Sequence, residues 1–211
     1  AVEIIGDDLA NHKVNTLAFS TRLYRLMLDS AKSGERTRLK SFVFKAIKSR
    51  AFLEIKPTNF TLFRGKKANW LKSYNPYNEP EWQAHLVLFS MSVAFGYLED
   101  TLNATERDAF QEWGDNLSAI LKKYKDDINS PSSARGGKGP DRAAGKAMAL
   151  IGWGYTTKNK KTFDEGVKYY NAVVSKILRS GSHKHFATGH EGMELNYLSS
   201  TYGQLTVAAV I

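Results

Sequence analysis

Apolar residues recur along this chain at three- and four-residue spacing, interrupted by polar and glycine-rich stretches. That spacing predicts amphipathic helices, and no stretch makes a convincing strand. Leu17, Leu23, Met27 and Leu28 predict a helix over 14–31, which Gly34 stops. Leu39, Phe42, Val43, Ala46 and Ile47 predict a second over 35–50. Pro80 suits a first turn, and Trp82, His85, Leu86, Phe89, Val93, Gly96 and Tyr97 carry a third helix to about Leu102. Thr105 with Asp108 resembles a capping box opening a fourth over 105–127, through Phe110, Trp113, Leu117, Ile120, Leu121 and Tyr124. Asp141 is placed to cap a fifth over 142–155, and residues 158–161 make the next turn. Phe163, Val167, Tyr170, Val174 and Ile177 form the apolar face of a sixth over 162–178, with Gly181 beyond its end.

A seventh helix is expected from about Glu191 to the end of the chain. Leu195, Leu198, Tyr202, Leu205 and Ala209 predict its buried face, and Glu194, Tyr197, Thr201 and Gln204 form a polar stripe opposite. His190 lies seven positions before Tyr197, about two turns along that stripe if the helix starts near Glu191.

The expected plan is all-α, a succession of antiparallel helical hairpins. Connections near 33, 103 and 157–161 are short, whereas 51–79, 128–141 and 180–190 are long. If neighbouring helices are antiparallel, the three long connections share one rim together with the N-terminal ends of three helices, a place that attracts anions. That rim gathers Arg64, Lys66, Lys67, Arg135, Lys138, Arg142, His183, Lys184, His185 and His190. Phe60, Phe63, Trp70, Tyr74 and Tyr77 alternate with the basic residues of the first long connection. Two readings of these aromatics stand: platforms for sugars or bases, or side chains packed over the core.

Composition sharpens the choice of partner. With 30 Lys and Arg against 21 Asp and Glu, the 211-residue chain carries a formal charge of +9, which favours an anionic partner. There is no cysteine, which excludes disulfides and thiolate chemistry. The length suits one domain over 1–211, and no apolar run reaches the roughly 18 residues of a membrane span. The chain begins at Ala1 and stops at Ile211 inside an expected helix, which predicts a processed or truncated piece of something longer. GGKGP at 136–140 lacks the spacing of a nucleotide-binding loop, and His183, His185 and His190 without a well-placed carboxylate make a weak metal signal. Neither a metal nor another cofactor is expected.

From 142 to 197 the chain resembles the alginate lyase family: a helix entered by a loop, FDEGV at 163–167, Gly181, a polar loop, and ELNY at 194–197 leading into a final helix. The similarity is diffuse, covering residues 80–211. It implies an incomplete α/α toroid whose cleft opens at one rim, and β-elimination on a uronic-acid polymer. Family members place a catalytic tyrosine where Tyr197 stands. The chain departs from the pattern where an Asn-Asn-His motif is usual, since it reads Pro140, Asp141 and Arg142, and where an arginine is usual, since it has His190.

On that resemblance the catalytic candidates are Tyr197, His190, Arg142 and His185, and the substrate-binding candidates are Arg64, Lys66, Trp70, Tyr74, Arg135, Lys138 and His183. The partner is an anionic polysaccharide rather than a membrane or nucleic acid, and the location secreted or periplasmic. His85, on the apolar face of its helix, reads as a core histidine. The alternative is a non-catalytic helical module binding acidic glycan or nucleic acid through the same rim.

Overall fold

The computed structural model describes residues 16–53, 79–123, 140–177 and 194–210. These residues form seven α-helices and no β-strand: α1 (Thr16–Ser33), α2 (Thr37–Lys48), α3 (Glu79–Leu98), α4 (Ala104–Lys123), α5 (Pro140–Thr156), α6 (Lys160–Val174) and α7 (Glu194–Ala209). A single 3-10 turn, Glu99–Thr101, follows α3. The expected all-α architecture is therefore present.

Local chemistry explains where the helices stop. Gly34 adopts φ +72°, the left-handed conformation that ends α1, and its N–H donates to the Ser30 carbonyl at 2.8 Å. The capping box of α4 stands two residues earlier than the sequence reading put it. The Asn103 side chain accepts from the Glu106 N–H at 2.9 Å, and the Glu106 carboxylate accepts from the Asn103 N–H at 3.0 Å. Asn is a stronger N-cap than Thr, so Asn103 prevails over Thr105. Similarly, α5 opens on Pro140, so Asp141 lies inside its first turn rather than capping it. The turn before α6 is 157–159: Lys158 takes φ 57°, and Asn159 caps the helix by accepting from the Thr162 N–H at 3.1 Å. At its other end α6 stops at Val174, short of the expected 178, as Lys176 and Ile177 bond to the carbonyls of Val173 and Val174 in a tight turn.

Packing fixes the directions. His85 of α3 lies against Gly145 of α5, Phe89 and Ser92 against Gly152, and Gly96 against Thr156, so the two helices advance together and are parallel. Leu205 of α7 clusters with Ala143 and Ala144, and Ala208 with Met148 and Ile151, so α7 also runs parallel to α5. In contrast, Gly154 meets Phe163 and Gly166 meets Ile151, while Val173 joins Ala143, so α6 returns antiparallel along α5. Helices α1, α3, α5 and α7 pack successively in one layer, and each hairpin sends its second helix to the other layer. This is the plan of an incomplete α/α toroid.

Helix α5 sits at the middle of it, packing on α3, α6 and α7. Residues 143–154 are all buried, which its small side chains Ala143, Ala144, Ala147 and Ala149 permit by letting neighbours approach closely. Aromatic rings fill the space between the layers: Phe95 packs edge-on to Phe110 at 5.0 Å and to Trp153 at 5.8 Å. Trp113 donates its indole N–H to the Ala51 carbonyl at 3.0 Å, tying α4 to the turn after α2.

Candidate functional site

Because α3, α5 and α7 are parallel, their N-terminal ends open on one rim, as the lengths of the connections predicted. The connecting segments, however, lie outside the described residues. Arg64, Lys66, Trp70 and Tyr74, Arg135 and Lys138, and His183, His185 and His190 all fall there. The same holds for residues 191–193, so the shared face of His190 and Tyr197 is not part of the described structure.

Two of the catalytic candidates are in described helices. Arg142 is the third residue of α5 and is half-buried. Tyr197 is the fourth residue of α7, eight residues before Leu205, which places it about 12 Å closer to the rim than the Leu205 level. Leu205 clusters with Ala143 and Ala144, so Arg142 stands near that level and Tyr197 about 9 Å further out along the parallel axes.

The polar stripe of α7 lies differently from expectation. Thr201 is fully buried, Gln204 is half-buried, and Leu205 and Ala208 are buried beside α5, whereas Ala209 is exposed. The packed face therefore runs through Thr201, Leu205 and Ala208. Thr201, which hydropathy assigned to an outward polar face, is on the face of Leu205 and Ala208 that packs on α5.

Beneath the rim are two groups that the sequence reading undervalued. His85 is fully buried, as a core histidine should be, and its ring lies against Gly145 of α5. Burial, with the nearby Arg142 charge, pushes its pKa down from 6.5 to about 3, so the ring is neutral at ordinary pH. Lys146, one turn after Arg142, is also fully buried and sets its ammonium 4.5 Å from the centroid of the Tyr169 ring. A lysine inside the run from Ala143 to Ile151 was the available signal, since ammonium groups are rarely buried without a role. Among the described residues no group of three potential ligands could hold a metal ion.

The opposite end of the bundle is different. A groove of about 510 Å³ is lined by Arg36, Tyr97, Glu99, Asp100 and Arg107. Arg36 pairs with Asp100 and lies 4.6 Å over the Tyr97 ring, while Arg107 pairs with Glu99 at 3.0 Å. Lys40 reaches Glu106 at 2.6 Å. Positive and negative groups balance there, so it lacks the anion preference expected of the rim.

No protein-family model and no curated protein matches this chain. Among solved structures, a tyrosine-to-phenylalanine variant of alginate lyase A1-III complexed with a tetrasaccharide matches with a TM-score of 0.60 and 16% identity, over 92% of this chain and 52% of that one. The chain thus spans about half the length of that lyase. At such identity the likeness establishes the fold. Among the described residues no helix is long and apolar enough to cross a membrane.

Proposed function

We propose that this chain is a polysaccharide lyase, or a helical domain of one, acting on an anionic, uronic-acid-containing glycan such as alginate by β-elimination. The observation that carries the reading is the convergence of α3, α5 and α7 at one rim, with Arg142 and Tyr197 in their first turns, in a fold shared with an alginate lyase. Helix N-termini and a +9 chain favour an anionic polymer there, and a secreted or periplasmic protein would meet one.

The chemistry sets the roles. A proton at C5 becomes removable when the adjoining carboxylate is neutralised, which is the part of Arg142 with His185 or His190. Tyr197 takes that proton or protonates the leaving oxygen, and a histidine takes the complementary part. The C5 electron pair forms the C4–C5 double bond, the C4–oxygen bond breaks, and the departing oxygen receives a proton. Arg64, Lys66, Arg135, Lys138 and His183 hold further carboxylates, and Trp70 and Tyr74 stack on sugar rings.

The test is incubation with alginate, glucuronan and related polymers, following ultraviolet absorbance of the new double bond. Absorbance should rise with wild type and collapse with Tyr197→Phe while glycan binding persists. Binding without absorbance from any polymer would replace the lyase with a non-catalytic glycan-binding module, and salt-sensitive binding of nucleic acid in preference to glycan would point to the other ligand of such a module.

A further inference from the structure

The cations of this chain are unevenly placed. Residues 16–53, which hold the α1–α2 hairpin, carry nine Lys and Arg against two carboxylates, an excess of seven within a whole-chain excess of nine, whereas residues 79–123 carry three against eight. Two of the nine are matched across helix contacts, Arg36 to Asp100 and Lys40 to Glu106. On α2, Arg38, Ser41, Lys45 and Lys48 follow at spacings of three, four and three, opposite the buried face of Leu39, Phe42, Val43 and Ala46, and they make one stripe about 15 Å long. Arg38 and Lys48 are exposed and Lys45 is partly so, with exposed Arg50 in the turn beyond. Among the described residues none of these four cations enters an ion pair. Glu106, whose charge reaches Lys48, is already held by Lys40. Like charges at this spacing repel and weaken the helix that carries them, a penalty that an adjacent polyanion removes.

The stripe also has a direction. Lys40 meets Glu106, the Phe44 ring lies 6.2 Å from that of Phe110, and the Ala51 carbonyl accepts from Trp113, so α2 runs parallel to α4. Helix α4 returns antiparallel to α3, with Arg107 bonded back to Glu99 and Phe110 packed on Phe95, and α2 therefore ends, like α4, on the side where α3 and α5 begin. From Arg38 the cations climb toward that rim.

We propose that Arg38, Lys45, Lys48 and Arg50 form a track along the outside of α2 that binds an acidic polysaccharide extending past the rim. The proposal rests on the acidic-glycan reading and adds a second contact region to it, one that a polymer reaches and a short oligosaccharide seated at the rim does not. Chemistry favours a glycan over other polyanions. Phe42 is buried and Phe44 packs against Phe110, so α2 presents no exposed ring for stacking on bases and no exposed apolar side chain to enter a bilayer. Carboxylates spaced along a polymer need only the row of charges.

The experiment measures binding of a long alginate polymer and of an alginate tetrasaccharide by calorimetry over a range of salt, in proteins that carry Tyr197→Phe so that the polymer stays whole. The parent is compared with Arg38→Gln/Lys45→Gln/Lys48→Gln and with a control that removes equal charge from exposed positions of α6, Lys160→Gln/Lys161→Gln/Lys168→Gln. Circular dichroism follows folding, which glutamine, a helix former much like lysine and arginine, should preserve. The track variant should bind the polymer about tenfold more weakly at low salt, with the slope of log affinity against log salt shallower by about two, as three lost counterion-releasing contacts require. Its affinity for the tetrasaccharide should match the parent's, and the α6 control should keep most of the polymer affinity. A folded track variant that binds polymer as the parent does, or loses no more than the α6 control, overturns the track while leaving the acidic-glycan reading intact. Should the triple variant fail to fold, Arg38→Gln/Lys48→Gln must show a loss toward the polymer; its full retention also overturns the track. Binding of duplex DNA or of phosphatidylserine vesicles that falls in the track variant while alginate binding does not gives these residues to that ligand and overturns the proposal. A parent that binds neither polymer nor tetrasaccharide overturns the proposal together with the acidic-glycan reading.

Discussion

Replacing Gly114 by alanine tests the packing that holds the two layers together. Gly114 lies in α4 where the indole of Trp153 crosses, and a Cβ there would stand 2.1 Å from Cζ2 and 2.3 Å from Cη2. The indole has nowhere to retreat. Trp153 is fully buried, Phe95 and Phe110 flank it with ring centroids 5.8 and 6.2 Å away, and its N–H is committed to the Asp115 carboxylate at 2.8 Å. Overpacking of this kind costs about 1–3 kcal/mol. A strained or lost indole hydrogen bond adds about 1 kcal/mol. Alanine's better helix propensity returns about 1 kcal/mol. The net expectation is a loss of about 2 kcal/mol, or a fall of about 4–8 °C in Tm for a chain of this size. Gly203→Ala in α7 is the control, because nothing lies within 4 Å of the new methyl group. There the propensity gain stands alone, and Tm should rise by about 2 °C. Thermal melts followed by circular dichroism, with near-ultraviolet signals reporting the Trp153 environment, measure both. A Gly114→Ala protein that melts at or above wild type would refute the locked-indole account.

Other expectations follow from single groups. His85 has a folded-state pKa near 3 against 6.5 in the open chain, because burial and then Arg142 oppose its proton. Above pH 6.5 both states are neutral and the fold keeps its full stability. As pH falls from 6.5 toward 3 the unfolded chain takes up a proton that the folded one refuses, so His85 should cost about 1.4 kcal/mol per pH unit in that window. Urea unfolding against pH should show this slope, and His85→Gln should flatten it. Glu106, whose carboxyl is held below the usual range by Lys40 and the Asn103 N–H, loses its contribution only as pH falls through the carboxylate range. Asn103→Ala and Asn159→Ala each remove a helix N-cap, and each should lower stability by about 1 kcal/mol in the same melts.

The fold was largely legible because period and punctuation agree along most of the chain. Leu39, Phe42, Val43, Ala46 and Ile47 were expected on one face of α2, and all five are buried. Gly34 was expected to end α1, and it does so with positive φ. The errors concern caps, where neighbouring candidates compete: Thr105 and Asn103 both qualify, and a two-residue shift separates them. Parallel packing of α3 with α5 follows from hairpin counting, but its register does not. Register is set by Gly145, Gly152 and Gly96 meeting His85, Ser92 and Thr156, and no periodicity of apolar residues encodes that meeting.

Of the candidate site, the sequence named residues along one rim, most of which lie outside the described residues. Charge and connection length pointed to the rim, and two candidates lie in first turns of described helices that begin there. The sequence could not reveal which way the polar stripe of α7 faces, since Thr201 and Gln204 look like outward residues by hydropathy. Thr201 is nonetheless fully buried, on the face of α7 whose Leu205 and Ala208 pack on α5, a helix of mostly small residues that lets its neighbours approach closely. The same small residues admit His85 between α3 and α5 and surround Lys146 with protein. A site organised by such a helix takes its polar groups from within the inter-helix contacts as well as from the connections above them. Under the proposed reading, replacing one rim lysine such as Lys66 or Lys138 should weaken attraction to any polyanion alike, whatever its sugar.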